Sequence, residues 1–214
     1  MNRAFQIPSS RLRWIAVLAA ALSAGALQTA CAPLVIGGAM VGTALTVTDR
    51  RTAGAQLEDE AIELKTVNRV REAVGERGHV NATSFNRTVL ITGEVASEAD
   101  RTAVEQAIAR IENVRATVNE LVVAGASSLA ARSNDAILTS KVKASFLDAK
   151  DLQANAVKVV AERGVVYLMG RVTEREAQRA TDLARAVGGV AKVVRVFEVI
   201  SEAELAELRP SNGK

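Results

Sequence analysis

The second half of the chain repeats the first half, which limits the folds that it can form. The strand-like run Thr88–Val95 (TVLITGEV) returns as Val165–Val172 (VVYLMGRV), and this places Gly93 and Gly170 77 residues apart. Self-similarity at such a period indicates two copies of one small fold rather than a single large core. Each copy has roughly 70–75 residues, near the lower size for an independent core, so packing of the copies on each other would stabilise both.

The first 30 residues have the features of an export signal peptide. Three arginines precede a short apolar run at residues 14–22, and small residues follow as far as position 30. A basic start, a short apolar region and a small-residue exit are typical of signals that are removed from the mature protein. We therefore assign residues 1–30 to a signal peptide and residues 31–53 to an N-terminal tether.

Cys31, the only cysteine of the chain, follows this signal directly. A lone cysteine cannot form a disulfide within the chain. In this place it resembles the lipidated, palmitate-carrying cysteine that becomes the first residue of a mature bacterial lipoprotein, with Gln28 where such signals usually have leucine. A free buried thiol and an uncleaved anchor are the alternatives.

An apolar run at residues 34–47 follows the cysteine. As a helix it would be about 21 Å long at ~1.5 Å per residue, shorter than the ~30 Å hydrocarbon core of a bilayer. We interpret this run as a tether near the bilayer surface rather than as a membrane-spanning helix.

Charge is distributed unevenly between the two copies. Residues 54–124 contain 8 basic and 12 acidic side chains (net −4), whereas residues 125–200 contain 12 and 8 (net +4). Only the second copy is therefore suited to an anionic partner. The formal net charge of +3 comes from the arginines of the signal, so the charge of the mature chain gives no indication of nucleic-acid binding. Aromatic residues, on which bases would stack, make up only 3% of the chain.

Hydrophobic periodicity predicts the same order of elements, α-β-β-α-β, in both copies. In the first copy it indicates a helix, a hairpin, a second helix and a last strand at residues 58–74, 80–95, 97–111 and 114–123. In the second copy these elements are expected at residues 133–147, 157–172, 174–187 and 190–200. A helical crossover before the third strand predicts an α+β fold, in which each copy has a three-stranded mixed sheet and two helices on one face.

The resulting domain boundaries are a first domain at residues 54–124, a linker at 125–132, a second domain at 133–200 and a C-terminal tail at 201–214. Gly93 and Gly170 occupy equivalent strand positions. We expect both glycines to be structural, because each would lie where its strand passes a helix too closely for a Cβ.

Three stretches of the sequence are similar to the BON domain family, named for bacterial osmotic-stress and nodulation proteins. They are residues 48–56 (TDRRTAGAQ), 133–135 (SND) and 166–177 (VYLMGRVTEREA). Two such domains behind a lipoprotein signal resemble the outer-membrane lipoproteins with two tandem BON domains. The resemblance implies a lipid-anchored protein that faces the periplasm, binds anionic phospholipid and supports envelope integrity, with enrichment at division sites.

In that family the first helix of the second BON domain makes the lipid contact, which corresponds here to residues 134–147. With the apolar stripe of this helix turned to the core, Ile137, Lys141 and Ala144 fall on the outer face and Lys143 flanks it. An apolar side chain beside two lysines suits the surface of an acidic bilayer. Ile137 stands where the family has an aromatic residue. An ordinary solvated helix, on which the lysines only aid solubility, is the alternative interpretation.

The sequence offers little for catalysis, a metal site or a cofactor. Its only histidine, His79, has Ala156 as its counterpart in the second copy, which favours a surface position over a catalytic base. A single histidine and a single cysteine do not make a set of soft metal ligands. We therefore expect a binding protein and not an enzyme. The alternative to a phospholipid-binding protein is an adaptor whose acidic first copy docks an envelope enzyme or assembly factor.

Overall fold

The structure, a computed structural model, describes residues 49–208. The predicted signal peptide, Cys31, the apolar run at residues 34–47 and the tail beyond position 208 lie outside the described residues. Within the described range, the predicted order α-β-β-α-β is confirmed in both copies.

The first copy forms a mixed sheet. Its elements are α1 (Ala53–Val74), β1 (Gly78–Phe85), β2 (Thr88–Val95), α2 (Glu98–Ala109), β3 (Ala116–Asn119) and β4 (Val122–Val123). β1 and β2 form an antiparallel hairpin, whereas β3 and β4 both pair with β2 in parallel. The sequence predicts one strand over residues 114–123, but the side chain of Asn119 accepts the N–H of Leu121 (3.1 Å) and interrupts that strand.

The second copy repeats this topology. Its elements are α3 (Leu129–Asp148), a 3-10 turn at Ala154–Ala156, β5 (Lys158–Glu162), β6 (Val165–Val172), α4 (Glu174–Ala186) and β7 (Lys192–Val199). β6 lies between antiparallel β5 and parallel β7. A further helix, α5 (Glu202–Leu208), occupies part of the predicted tail, because it buries Leu205 and because Glu204 pairs with Arg171 (2.6 Å).

The first helix of each copy begins earlier than the sequence predicts. The hydroxyl of Thr52 accepts the N–H of Ala55 (3.1 Å), and that of Ser128 accepts the N–H of Ala131 (3.2 Å). These hydroxyls satisfy N–H groups that have no partner inside a helix, so α1 and α3 start directly after them. The predicted starts at residues 58 and 133 are therefore wrong, and α3 includes four residues of the predicted linker.

Each of these helices carries a buried aspartate that holds the hairpin turn of its own copy. Asp59 accepts the backbone N–H groups of Asn86 and Arg87 (2.7 and 2.8 Å). Asp135 accepts those of the equivalent turn at residues 163–164 (2.9 and 2.8 Å). All four turn residues have positive φ, as in the two-residue turns that suit a hairpin, and their N–H groups need an acceptor outside the strand ladder.

In each copy both helices cover the same face of the sheet. In the first copy the buried side chains are Ile62 and Val74 of α1, Val104 and Ile108 of α2, and Val89, Ile91 and Val95 of β2. In the second copy they include Leu138, Val142 and Phe146 of α3, Ala177, Ala180 and Ala184 of α4, and Val166, Leu168 and Val172 of β6. This arrangement leaves the other face of each sheet without a helix.

The two uncovered sheet faces pack on each other. Phe85 and Leu90 of the first copy form one apolar cluster with Tyr167 and Met169 of the second. The described chain therefore has four layers, in the order helix, sheet, sheet, helix. The contact buries apolar surface that either small copy would expose alone.

Ion pairs across this contact account for part of the charge difference between the copies. Lys158 binds Glu63 (3.1 Å), and Arg163 binds Glu94 (3.1 Å), whose side chain is buried. In both pairs the cation belongs to the second copy and the carboxylate to the first, whereas Arg115 of the first copy binds Glu198 of the second (3.1 Å). Lys158 and Arg163 are already paired with the first copy, so the net charge of the second copy overstates the charge that an external anionic partner meets.

Residues 49–51, which the sequence assigns to the tether, are bound to both copies. Arg50 donates two hydrogen bonds of 2.7 Å to Glu176 of α4, and the two side chains are only 7% and 6% exposed. Arg51 binds Asp59 of α1 (2.7 Å) and stacks on the ring of Phe85. These two adjacent arginines therefore connect the first copy, through Asp59, with the second copy, through Glu176.

Gly93 and Gly170 lie at equivalent positions of β2 and β6. A Cβ on Gly93 would overlap the carbonyl oxygen of His79, and a Cβ on Gly170 would overlap that of Ala156. Gly93 also has φ of +114°, a conformation that other residues rarely adopt. The close neighbour is thus the backbone of the preceding strand or turn, and not a helix as expected from the sequence.

Candidate functional site

The buried side chains of α3 fix the rotation of this helix about its own axis. Leu138, Val142 and Phe146 are buried against the sheet of the second copy, and Asp135 binds the hairpin turn. Side chains on the opposite side of the helix must therefore point away from the protein.

The four residues that the sequence analysis assigns to lipid binding all lie on the exposed part of α3. Ile137 is 54% exposed, and Lys141, Lys143 and Ala144 are exposed as well. At about 3.6 residues per turn, the two lysines fall on opposite flanks of the strip that contains Ala144. The structure thus brings these residues onto one surface.

Two exposed leucines extend this surface, and the sequence analysis missed both. Leu129 is 79% exposed and Leu147 is 70% exposed. They lie 18 positions apart, which is five turns at about 3.6 residues per turn, so they share one line along the helix. Leu129 falls in the predicted linker. Recognition of Ser128 as an N-cap would have placed Leu129 in the helix. We refer to the exposed line formed by Leu129, Ser133, Ile137, Ser140, Ala144 and Leu147 as the outer face of α3.

The polar groups of the outer face are largely satisfied within the helix. The hydroxyl of Ser133 donates to the carbonyl of Leu129 (3.0 Å), and that of Ser140 donates to the carbonyl of Ala136 (3.1 Å). Asp135 is the only acidic residue between Leu129 and Leu147, and it is buried. Contact of this face with an apolar or anionic surface therefore leaves neither serine hydroxyl unpaired, and the exposed carboxylate nearest to it along α3 is that of Asp148 at the end of the helix.

The side chains of Lys141 and Lys143 have no ion pair and no hydrogen bond within residues 49–208. Many other cations of the second copy are paired with carboxylates, namely Lys158, Arg163, Arg171, Arg175, Arg179 and Arg195. The two lysines beside the outer face are consequently among the cations that are free to meet an external anion.

A cavity of about 310 Å³ lies next to the C-terminal half of α3. Lys143 and Leu147 line it together with Asp49, the first described residue. The start of the described chain, Asp49, therefore lies on the same side of the protein as the C-terminal end of the outer face.

His79 is the residue that the sequence analysis considered as a catalytic base. His79 is half-buried in β1, and the residue across the hairpin from it is Glu94. No group of three His, Cys, Asp or Glu side chains within residues 49–208 is arranged to hold a metal ion. In the same range, none of the helices combines the length and the apolar character that crossing a membrane requires.

The sequence matches the BON domain family twice, over residues 58–125 and 134–201. These two matches cover most of the described residues and correspond to the two α-β-β-α-β copies. The chain therefore belongs to the BON domain family.

The chain is also similar to several curated proteins over most of its length. It is 38% identical to the outer membrane lipoprotein DolP of Haemophilus influenzae over 194 residues, which are 89% of this chain and 98% of that protein. The 21 kDa hemolysin of Actinobacillus pleuropneumoniae is 29% identical, over 71% of this chain and 79% of that protein. The osmotically-inducible protein Y of Escherichia coli is 28% identical, over 65% of this chain and 72% of that protein.

Proposed function

We propose that this chain is a lipid-anchored outer-membrane protein that faces the periplasm and binds anionic phospholipid through the outer face of α3. The observation that carries the proposal is this face itself, an uncovered apolar line between two unpaired lysines. In this role the protein supports the integrity of the envelope, at division sites among others, and catalyses no reaction. The similarity to an outer membrane lipoprotein of Haemophilus influenzae supports the location.

Charge and apolar burial act together on this face. Each lysine near an anionic bilayer contributes ~1 kcal/mol, and each leucine or isoleucine adds up to about 1.5–3 kcal/mol if it becomes fully buried. The helix rises about 27 Å between Leu129 and Leu147 at ~1.5 Å per residue. When α3 lies flat on the bilayer, both leucines enter the headgroup and acyl boundary together.

A hollow of about 440 Å³ beside Lys141 provides a place for the lipid phosphate. Ile137, Lys141 and Asp135, whose carboxylate is bound to the hairpin turn, line one side of it, and Arg163 and Gly189 line the other. The guanidinium of Arg163 already binds Glu94 (3.1 Å), so Lys141 is the cation that remains available to the phosphate.

Cys31 lies outside the described residues, and we propose that it carries the lipid anchor. Ala32 follows it, whereas an aspartate in that position commonly retains lipoproteins in the inner membrane. We expect the intact mass of the mature protein to equal residues 31–214 plus acyl groups, and Cys31→Ser to accumulate as an unprocessed precursor. An unmodified cysteine in the wild-type protein would show that the anchor is assigned wrongly.

Reversal of the two lysine charges tests the proposed lipid contact. Lys141→Glu with Lys143→Glu removes two attractions and adds two repulsions, so affinity for anionic vesicles should fall by about 100-fold or more. Flotation or sedimentation of phosphatidylglycerol vesicles with the chain that lacks residues 1–47, and therefore also the apolar run at residues 34–47, measures this change. Wild-type binding should also weaken as salt shortens the Debye length from ~10 Å at 0.1 M to ~3 Å at 1 M.

The matched control is Arg185→Glu with Lys192→Glu, because both residues are exposed in the second copy and the net charge changes equally. This control should bind vesicles nearly as well as the wild type. Ile137→Trp should strengthen binding, because an aromatic residue is favoured at the headgroup level. Equal loss of binding in both double variants would show that only net charge acts, and no loss in either would favour the adaptor function.

A further inference from the structure

A groove of about 700 Å³ runs along the edge strand of the first copy. One wall is formed by α1 and the other by β5 of the second copy, and residues 80–83 of β1 lie between them. None of the residues that line this groove belongs to α3. The groove is therefore a second surface, separate from the outer face of α3.

The backbone of β1 is open along this groove. Within the described residues β1 pairs only with β2. The N–H and C=O of Ser84 point outward, because they bind Glu63 (2.8 Å) and Lys158 (3.2 Å) instead of β2. Alternate residues of an antiparallel strand point the same way, so the N–H and C=O groups of Val80 and Ala82 also point outward. On that side they have no hydrogen-bond partner within residues 49–208.

The walls of the groove are apolar and acidic. Leu64 and Val67 of α1 are 72% and 56% exposed. The charged residues that line the groove are all carboxylates, namely Glu60, Glu63 and Glu162. Neither lysine nor arginine lines it, and Glu60 has no partner within the described residues. An occupant that fits this lining has apolar and basic side chains.

We propose that this groove binds an extended segment of a protein partner, in which apolar and basic residues alternate, as an added strand on β1. Main-chain hydrogen bonds to Val80 and Ala82 supply the affinity, as in other complexes formed by strand addition. Apolar side chains of the segment contact Leu64 and Val67 of α1, and the alternate side chains, its cations, face the opposite wall, where Glu162 of β5 lines the groove. Ser84 is already bound, so the added strand stops before that residue and is about five residues long.

The probe for this proposal is a fluorescein-labelled synthetic peptide, acetyl-KVKVTVKV-amide, titrated into the chain that lacks residues 1–47. We expect saturable binding by anisotropy, and slower hydrogen exchange at the amides of Val80 and Ala82 by NMR. Leu64→Glu should weaken binding at least about tenfold, because a charge replaces an apolar contact. The same variant should bind phosphatidylglycerol vesicles like the wild type, which separates this surface from the lipid-binding face.

Two controls match this test. Leu57→Glu changes another exposed leucine of α1 that does not line the groove, and it should leave the affinity for the peptide within about twofold of the wild type. A peptide with N-methylated valines lacks the N–H donors of a strand, so its binding to the wild-type chain should be at least about tenfold weaker. The second control is independent of whether any variant folds.

Three results would overturn the proposal. The first is an absence of saturable binding by the alternating peptide. The second is binding without slower exchange at Val80 and Ala82, which would indicate general attraction between a basic peptide and the acidic copy. The third is an equal effect of the changes at Leu57 and Leu64.

Discussion

Replacement of Gly170 by valine is expected to destabilise the second copy and to lower the free energy of unfolding by about 3 kcal/mol or more. The added Cβ would overlap the carbonyl oxygen of Ala156. Both neighbours are backbone, so the overlap is relieved only by moving the turn that contains Ala156 or by disrupting the pairing of β6 with β5 and β7. Thermal unfolding followed by circular dichroism should show a midpoint lower by roughly 10 °C.

Two further variants identify the physical cause of this effect. Gly170→Ala should already show most of the loss, because it is the Cβ that meets the carbonyl oxygen. Gly188→Ala is the matched control, since a Cβ there has nothing within 4 Å and the residue lacks the positive φ that favours glycine. A harmless Gly170→Ala beside a damaging Gly170→Val would point to the bulk of the larger side chain instead.

Arg50→Ala is expected to destabilise the protein by about 3–5 kcal/mol, the usual effect of removing one partner of a buried ion pair. Its partner Glu176 would remain buried as an uncompensated carboxylate. Arg50→Ala with Glu176→Gln should recover much of the loss, because the glutamine is neutral and can still accept the N–H of Thr173 at the start of α4. Denaturant unfolding of the single and double variants measures both effects.

The effect of Arg50→Ala should also depend on pH. Burial opposes ionisation of Glu176, but the hydrogen bonds from Arg50 and from the backbone of Thr173 outweigh it and hold the pKa of Glu176 below 4.5. This depressed pKa stabilises the folded wild type above about pH 4.5, and the stabilisation is lost as pH falls through the folded-state pKa. The stability difference between wild type and Arg50→Ala should therefore shrink as pH falls below about 4.5. A constant difference from pH 7 to pH 3 would show that the ion pair is not its source.

Local pattern was sufficient to predict the repeated units and the order of their elements. Helical periodicity, alternation in the hairpin strands and the recurrence of Gly93 as Gly170 are all properties of neighbouring residues or of one fixed offset. The sequence also selected the exposed side of α3, because Ile137, Lys141, Lys143 and Ala144 lie opposite an apolar stripe of the same helix. Helix starts were less accurate, because the capping hydroxyls of Thr52 and Ser128 lie outside the periodic pattern.

The sequence by itself determined the two copies, their elements and the family, because these depend on local periodicity and on repetition. Only the tertiary structure decided that the free sheet faces pack together, that Arg50 binds Glu176, and that Asp59 and Asp135 hold hairpin turns. It also decided that much of the charge of the second copy is paired, while Leu129 and Leu147 remain exposed. A pairing between distant residues depends on which surfaces the topology brings together, and nothing in the spacing of the chain specifies it.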